Sequence, residues 1–202
     1  MTINNKYPLL LSNYESTNNI NLFFIGSLMH SIDYKKSSGG FIHGFRYLIK
    51  LFTQINYKIP FNIMIFNKND EGVKSLAKYM YNRTNTTSSL YQMYGIMLDA
   101  FYTDNNNIIY YNDLTLSIAM TQINRNIFNF IHFTYGDKKN TDLTTISKFN
   151  KYDPQFLHYE IIIFDKNTLD AIDRIIFEEE LVADFTHIKY YEKILRTLYS
   201  IT

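Results

Sequence analysis

The chain has 202 residues, 46% of them apolar and 19% charged, enough apolar surface for a packed core. Twenty Lys and Arg face nineteen Asp and Glu, so a formal charge of +1 gives bulk electrostatics no part in holding nucleic acid or an acidic membrane. The absence of Cys excludes disulfides, thiolate metal sites and a cysteine nucleophile. In chain order, Asn21 to Ile25 is a short apolar run closed by Gly26, which predicts a strand over 21–25 buried on both faces. Ser37-Ser38-Gly39-Gly40 leads into Phe41, Ile42, Phe45, Leu48, Ile49 and Phe52, whose spacing predicts a helix over 39–52 with Ser38 as its cap. Asp70 to Met80 reads as a short helix with acids in its first turn, and 85–89 as a polar linker. Strands are expected over 95–102, 108–111, 129–135 and 156–165, and helices near 169–180 and 190–199.

The expected fold class is α+β. A strand-loop-helix piece over 1–55 is followed by a connector over 56–89 and a small antiparallel sheet with helices over 90–202. Asn occurs at 22 positions alongside 18 Tyr and 16 Phe with no Trp, a pattern of nucleotide bias rather than of an aromatic recognition surface. No stretch has the roughly 18–20 apolar residues of a membrane span, and Met1 to Lys6 lacks the apolar core of a secretory signal, so the expected location is the cytoplasm. His30, His43, His132, His158 and His187 form no close metal-ligating pair, and no metal is expected. His43 and Arg46 lie three apart on the predicted helix, where they address either a ligand or solvent. Glu178 to Glu180 reads as a solvated face.

The unit that carries chemistry is a strand ending in Gly26, a loop of about a dozen residues and a helix opened by Gly39-Gly40. Helix amino termini leave unpaired N–H groups and partial positive charge, and paired glycines let a flat or phosphorylated ligand approach the backbone. A plain tight turn gives the same residues. Neither Gly-x-Gly-x-x-Gly nor Gly-x-x-x-x-Gly-Lys-Ser/Thr occurs.

The run Asn21-Leu22-Phe23-Phe24-Ile25-Gly26-Ser27-Leu28-Met29-His30, continued by Ser37-Ser38-Gly39-Gly40-Phe41-Ile42-His43-Gly44-Phe45-Arg46-Tyr47, resembles the carboxy-terminal half of FAD-dependent oxidoreductases. The type is the flavin-containing-monooxygenase-like group with the FAD-dependent oxidoreductase domain-containing proteins of the endoplasmic reticulum. The likeness is strong over residues 7–50 and looser through Ser89 to Gly95, Gln155 to His158 and Glu178 to Phe185. It implies that the strand before Gly26 belongs to a Rossmann-type FAD-binding domain. Gly26 and Ser27 would then lie near the ribityl or pyrophosphate part, Gly39, Gly40 and Phe41 would direct the helix terminus at the pyrimidine edge of the isoalloxazine, and Ser38 would join them in binding the cofactor. His43 and Arg46 would stand within reach of FAD or substrate. Ser27 replaces the Asp that many such proteins carry after this Gly. The implied cofactor is FAD, with NAD(P)H on a partner domain.

Met1 stands only about twenty residues before the expected strand. The resemblance therefore implies an amino-terminal FAD/NAD(P)-binding partner chain, separately encoded or lost, or an oligomer partner. The isolated chain is not expected to be active. The alternative is a non-catalytic truncated relative serving as a structural or interaction module. Leu22, Phe24, Phe41, Phe45 and Phe52 are expected to form an exposed apolar surface where the missing part would sit.

Overall fold

The structure is a computed structural model, and it describes residues 2–3, 6–32, 37–136, 157–177 and 185–202. Two short strands, β1 (Thr2–Ile3) and β2 (Tyr7–Pro8), pair antiparallel at the amino terminus. A loop then leads to a 3₁₀ segment, Gly26–Ser31, which packs on α1 (Ile42–Asn56). Next come β3 (Ile63–Asn67), α2 (Asp70–Thr86) and α3 (Ser88–Gln92). The remainder runs β4 (Met97–Asp104), β5 (Asn107–Thr115), α4 (Leu116–Gln122), β6 (Ile127–Tyr135), β7 (Leu157–Asp165), β8 (Asp170–Ile176) and α5 (Ile188–Ile201).

Six strands form one sheet in the order β3-β5-β4-β6-β7-β8, and every pairing in it is antiparallel. Period-two alternation sorts the side chains to two faces. Phe101, Tyr110, Phe133 and Tyr159 meet the helices on one face. Tyr79 of α2 sets its ring edge on Tyr110 at 5.4 Å, and Tyr190 of α5 lies 6.1 Å from Tyr159. Phe128, Phe130 and Phe164 cluster on the other face, with centroids 5.5 to 6.3 Å apart.

Helix α2 is capped by Asn69, whose side chain accepts from the Gly72 amide at 2.8 Å, and it buries Val73, Leu76, Ala77, Met80 and Thr84 at helical spacing. Helix α5 buries Tyr190, Ile194, Thr197 and Leu198 along one stripe. The two helices pack together, with Tyr81 against Tyr191 and the Tyr199 hydroxyl donating to Asp70.

The α+β class and the antiparallel sheet agree with the sequence expectations, with β4 to β7 within a few residues of the expected strands. Several expectations are corrected. Residues 21–25 form no strand: Phe23 makes one isolated bridge to Glu15, and the Phe24 amide donates to Tyr14 at 3.1 Å. Positive φ at Asn21 and at Gly26 brackets the run and breaks its extension. No parallel Rossmann-type ladder occurs among the described residues.

The helix expected over 39–52 begins only at Ile42 and continues to Asn56. The helix expected over 169–180 is instead β8. Leu169 at φ +58 turns the chain, and the Ile-rich segment pairs with Ile161 to Ile163 of β7. A short run of Ile fits either period, and ladder pairing decides. Residues 178–180 lie outside the described residues. The stretch 56–89, expected as a connector, contributes β3 to the sheet and α2 to its helical layer.

Candidate functional site

The 3₁₀ segment and the Gly39-Gly40 turn come together ahead of α1. Gly26 opens the 3₁₀ segment at φ +74 with open space beside its Cα, and Ser27 is exposed. Buried His30, from the end of that segment, lies against Gly40; a Cβ on Gly40 would stand 3.3 Å from its ring. The His30 and Tyr7 rings meet at a steep angle with centroids 5.8 Å apart.

Gly39 and Gly40 do not open the helix. They sit inside a turn closed by the Phe41 amide donating to the Ser38 carbonyl at 3.0 Å, and the buried Gly39 gives its amide to the Ser37 hydroxyl at 3.2 Å. Ser38 contributes backbone only, its amide donating to Gln92 of α3 at 3.1 Å. Phe41 stands at the cap position with no side-chain bond.

The amides of Ile42 and His43 therefore head the helix. Phe41 and His43 are both exposed and stack with centroids 5.6 Å apart and planes 7° from parallel. Arg46 is not aimed at the turn. Its guanidinium donates to the Tyr47 hydroxyl at 2.7 Å and lies over that ring.

One residue of this unit carries a constraint that sequence reading left unassigned. A Cβ on Gly44 would lie 2.0 Å from the Ser38 carbonyl oxygen, so the first turn of α1 closes on the glycine turn only without a side chain there. A glycine inside an apolar helical run was the available signal.

Of the residues expected at FAD, Ser27, Phe41 and His43 are exposed and Gly26 has open space beside it. Gly39 is spent internally, and the space beside Gly40 holds His30. A cleft of about 480 Å³ lies elsewhere, lined by Tyr102, Arg125, Asn129 and Ile201. Among the described residues no group of three His, Cys, Asp or Glu is placed to hold a metal ion, and no helix is long and apolar enough to cross a membrane.

Two buried polar centres flank the sheet, and neither was anticipated. In the first, Arg83 grips fully buried Asp99 with two bonds of 2.7 Å and reaches Asp113 at 2.8 Å, while Tyr110 donates to Asp99 at 2.9 Å. Burial raises the Asp99 carboxyl against the pull of Arg83. Burial also pushes Asp113 upward, but Arg83, Ser89 and Lys50 outweigh it and hold that carboxyl below its ordinary value.

In the second, Glu160 meets His158 at 3.0 Å, His132 at 3.6 Å and Arg174 at 2.7 Å. Burial would raise Glu160, but the two imidazoles and the guanidinium prevail and hold it well below the usual carboxylate range. Both centres join residues far apart in sequence, so no local pattern announces them.

No protein-family model matches the chain, and no solved structure matches it. Curated proteins do. Over 98 residues, 46% of this chain, it is 38% identical to FAD-dependent oxidoreductase domain-containing protein 2 of Mus musculus, of which the match covers 14%. Over 118 residues, 58% of this chain, it is 31% identical to the protein of the same name from Danio rerio, covering 17% of it. The matched stretch is thus a small fraction of either relative. About half of this chain is similar in sequence to a short stretch of FAD-dependent oxidoreductase domain-containing proteins.

Proposed function

We propose that the chain is the carboxy-terminal portion of a FAD-dependent oxidoreductase and completes a flavin site together with an amino-terminal dinucleotide-binding part. The observation that carries this reading is the exposed Phe41–His43 stack at the head of α1, beside leading amides with no partner inside the helix. The kinship with proteins named for FAD supports it. FAD would supply the hydride and electron chemistry. Residues of this chain would flank one edge of the ring, with Phe41 and His43 as a stacking surface and the α1 terminus favouring negative charge there. NAD(P)H would bind the partner part.

Exposed apolar residues are frequent in this part of the chain. Leu22, Ile25, Leu28, Phe41 and Ile42 are all exposed, while Phe24, Phe45 and Phe52 are partly covered. A non-catalytic interaction module is the second reading, favoured by the exposed apolar side chains of Leu22, Ile25, Leu28, Phe41 and Ile42.

The test is bound flavin per chain after desalting, with the chain co-expressed with a polypeptide carrying the glycine-fingerprint strand–helix unit. Wild type is expected to retain flavin, and Phe41→Ala with His43→Ala to lose at least tenfold in retention with an unchanged fold. Flavin content equal in wild type and the double variant rejects the site. A complex that forms but stays colourless favours the interaction module. Gly40→Val is a poorer probe, because its side chain would press on His30 whether or not a flavin binds.

A further inference from the structure

The half-buried carboxylate of Asp113 has contacts beyond the sheet. Opposite it, β4 and β5 slip register between Leu98 and Ala100, and Asp113 sits there at φ +57, a left-handed conformation uncommon outside glycine. The strain is held in place by its own amide, which donates to Asp99 at 2.8 Å, and by Arg83. Bulges and strained residues of this kind re-aim a side chain.

The Asp113 carboxylate meets three helices. Arg83 of α2 donates to it at 2.8 Å, the Ser89 hydroxyl of α3 donates to it, and Lys50 of α1 pairs with it at 3.4 Å. Two of these helices, α3 and α1, hold the glycine turn from both sides. The end of α3 receives the Ser38 amide at Gln92, and Met93 receives the Ser37 hydroxyl at 3.8 Å; α1 closes on the Ser38 carbonyl through Gly44.

We infer that Asp113 is a positioning residue for the Ser37–Phe41 turn, acting through Ser89 and α3 and, more weakly, through the exposed Lys50 on α1. The sheet thereby fixes where the turn and the Phe41–His43 stack present themselves. Ser89 is the working arm, because it is buried and its bond is shielded from water, whereas an exposed lysine pair contributes little. As a statement about ligand placement, the inference rests on the flavin-site reading. As a statement about the turn, it does not.

The experiment reads amide hydrogen exchange by nuclear magnetic resonance on the full chain. In Ser89→Ala, the Ser38 amide is expected to exchange about tenfold faster while the Tyr159 and Ile161 amides of β7 keep their rates. Ser89→Thr, which keeps the hydroxyl, restores the Ser38 rate. Asp113→Gly, which keeps the left-handed backbone and removes the acceptor, reproduces the Ser89→Ala effect without adding to it in the double variant. Should Asp113→Gly fail to fold, Ser89→Ala and Ser89→Thr decide alone. An unchanged Ser38 rate in Ser89→Ala, or one that rises only together with β7, overturns the inference. In the flavin-loaded assembly, Ser89→Ala is expected to release FAD several-fold faster. A wild-type assembly that holds no flavin rejects the flavin reading and leaves the exchange result to decide the role of Asp113 in the turn.

Discussion

At the scale of single residues, clearance and charge pairing set the sharpest expectations. Gly44→Ala places a methyl group where the Ser38 carbonyl stands, so the turn or the first turn of α1 must move. Its expected cost is about 1–3 kcal/mol by chemical denaturation, where an alanine in an open helix would normally stabilise. Asp99→Ala leaves Arg83 reaching into a buried void, and removing one partner of a buried pair costs about 3–5 kcal/mol.

Glu160 gives a pH dependence. Its folded carboxyl lies below its ordinary value of 4.5, so its stabilisation is complete above that pH and is lost as pH falls below it. Melting temperatures measured from pH 7 to pH 3 should fall steeply below about 4.5 in wild type. The acid limb should be flatter in Glu160→Gln, which starts from a lower plateau.

At the scale of elements, the two edges of the sheet differ. β8 carries Asp170, Asp173 and Arg174 and a register slip against β7, devices that discourage further pairing. β3 reads Ile-Met-Ile-Phe-Asn, without charge or slip, and Ile63, Met64 and Ile65 are exposed. Ile65→Lys, the side chain 65% exposed, is therefore expected to reduce concentration-dependent light scattering without lowering the melting temperature.

Elements with a long, consistent period were legible in the sequence: α1, α5 and the four central strands fall close to their expected places. β8 was not, because Ile172, Ile175 and Ile176 satisfy either period until β7 supplies a partner. Residues 21–25 misled for the opposite reason. A continuous apolar run suits a strand buried on both faces, yet here Leu22 and Ile25 face outward. The glycine pair was expected to open the helix and instead forms the turn before it. Its neighbours His30, Gln92 and Ser89 were not legible, since tertiary packing brings them there.

At the scale of the whole molecule, exposed apolar surface is unevenly spread. Of the nineteen large apolar side chains exposed among the described residues, thirteen lie between Leu11 and Ile65. A fold whose sheet and five helices share one core still leaves its amino-terminal third with unmatched surface of the kind that marks an interface. Sedimentation velocity on the chain alone is expected to show self-association, weakened by Leu22→Ser with Phe41→Ser. A monomer at every concentration would mean that this surface is tolerated as it stands.

The strand order also bears on how quickly the molecule assembles. β4 and β5 join through Asn105 and Asn106, so their ladder closes almost no loop, and β7 and β8 are nearly as local. β3 must instead reach β5 across the length of α2 and α3, and β6 must skip past β5 to find β4. Loop-closure entropy then favours a nucleus in the β4–β5 hairpin, with β3 docking after the rate-limiting step. Phe101→Leu should slow refolding, whereas Phe66→Leu should chiefly hasten unfolding. Stopped-flow chevrons would separate the two, and the bare apolar edge would be the last part of the sheet to find its place.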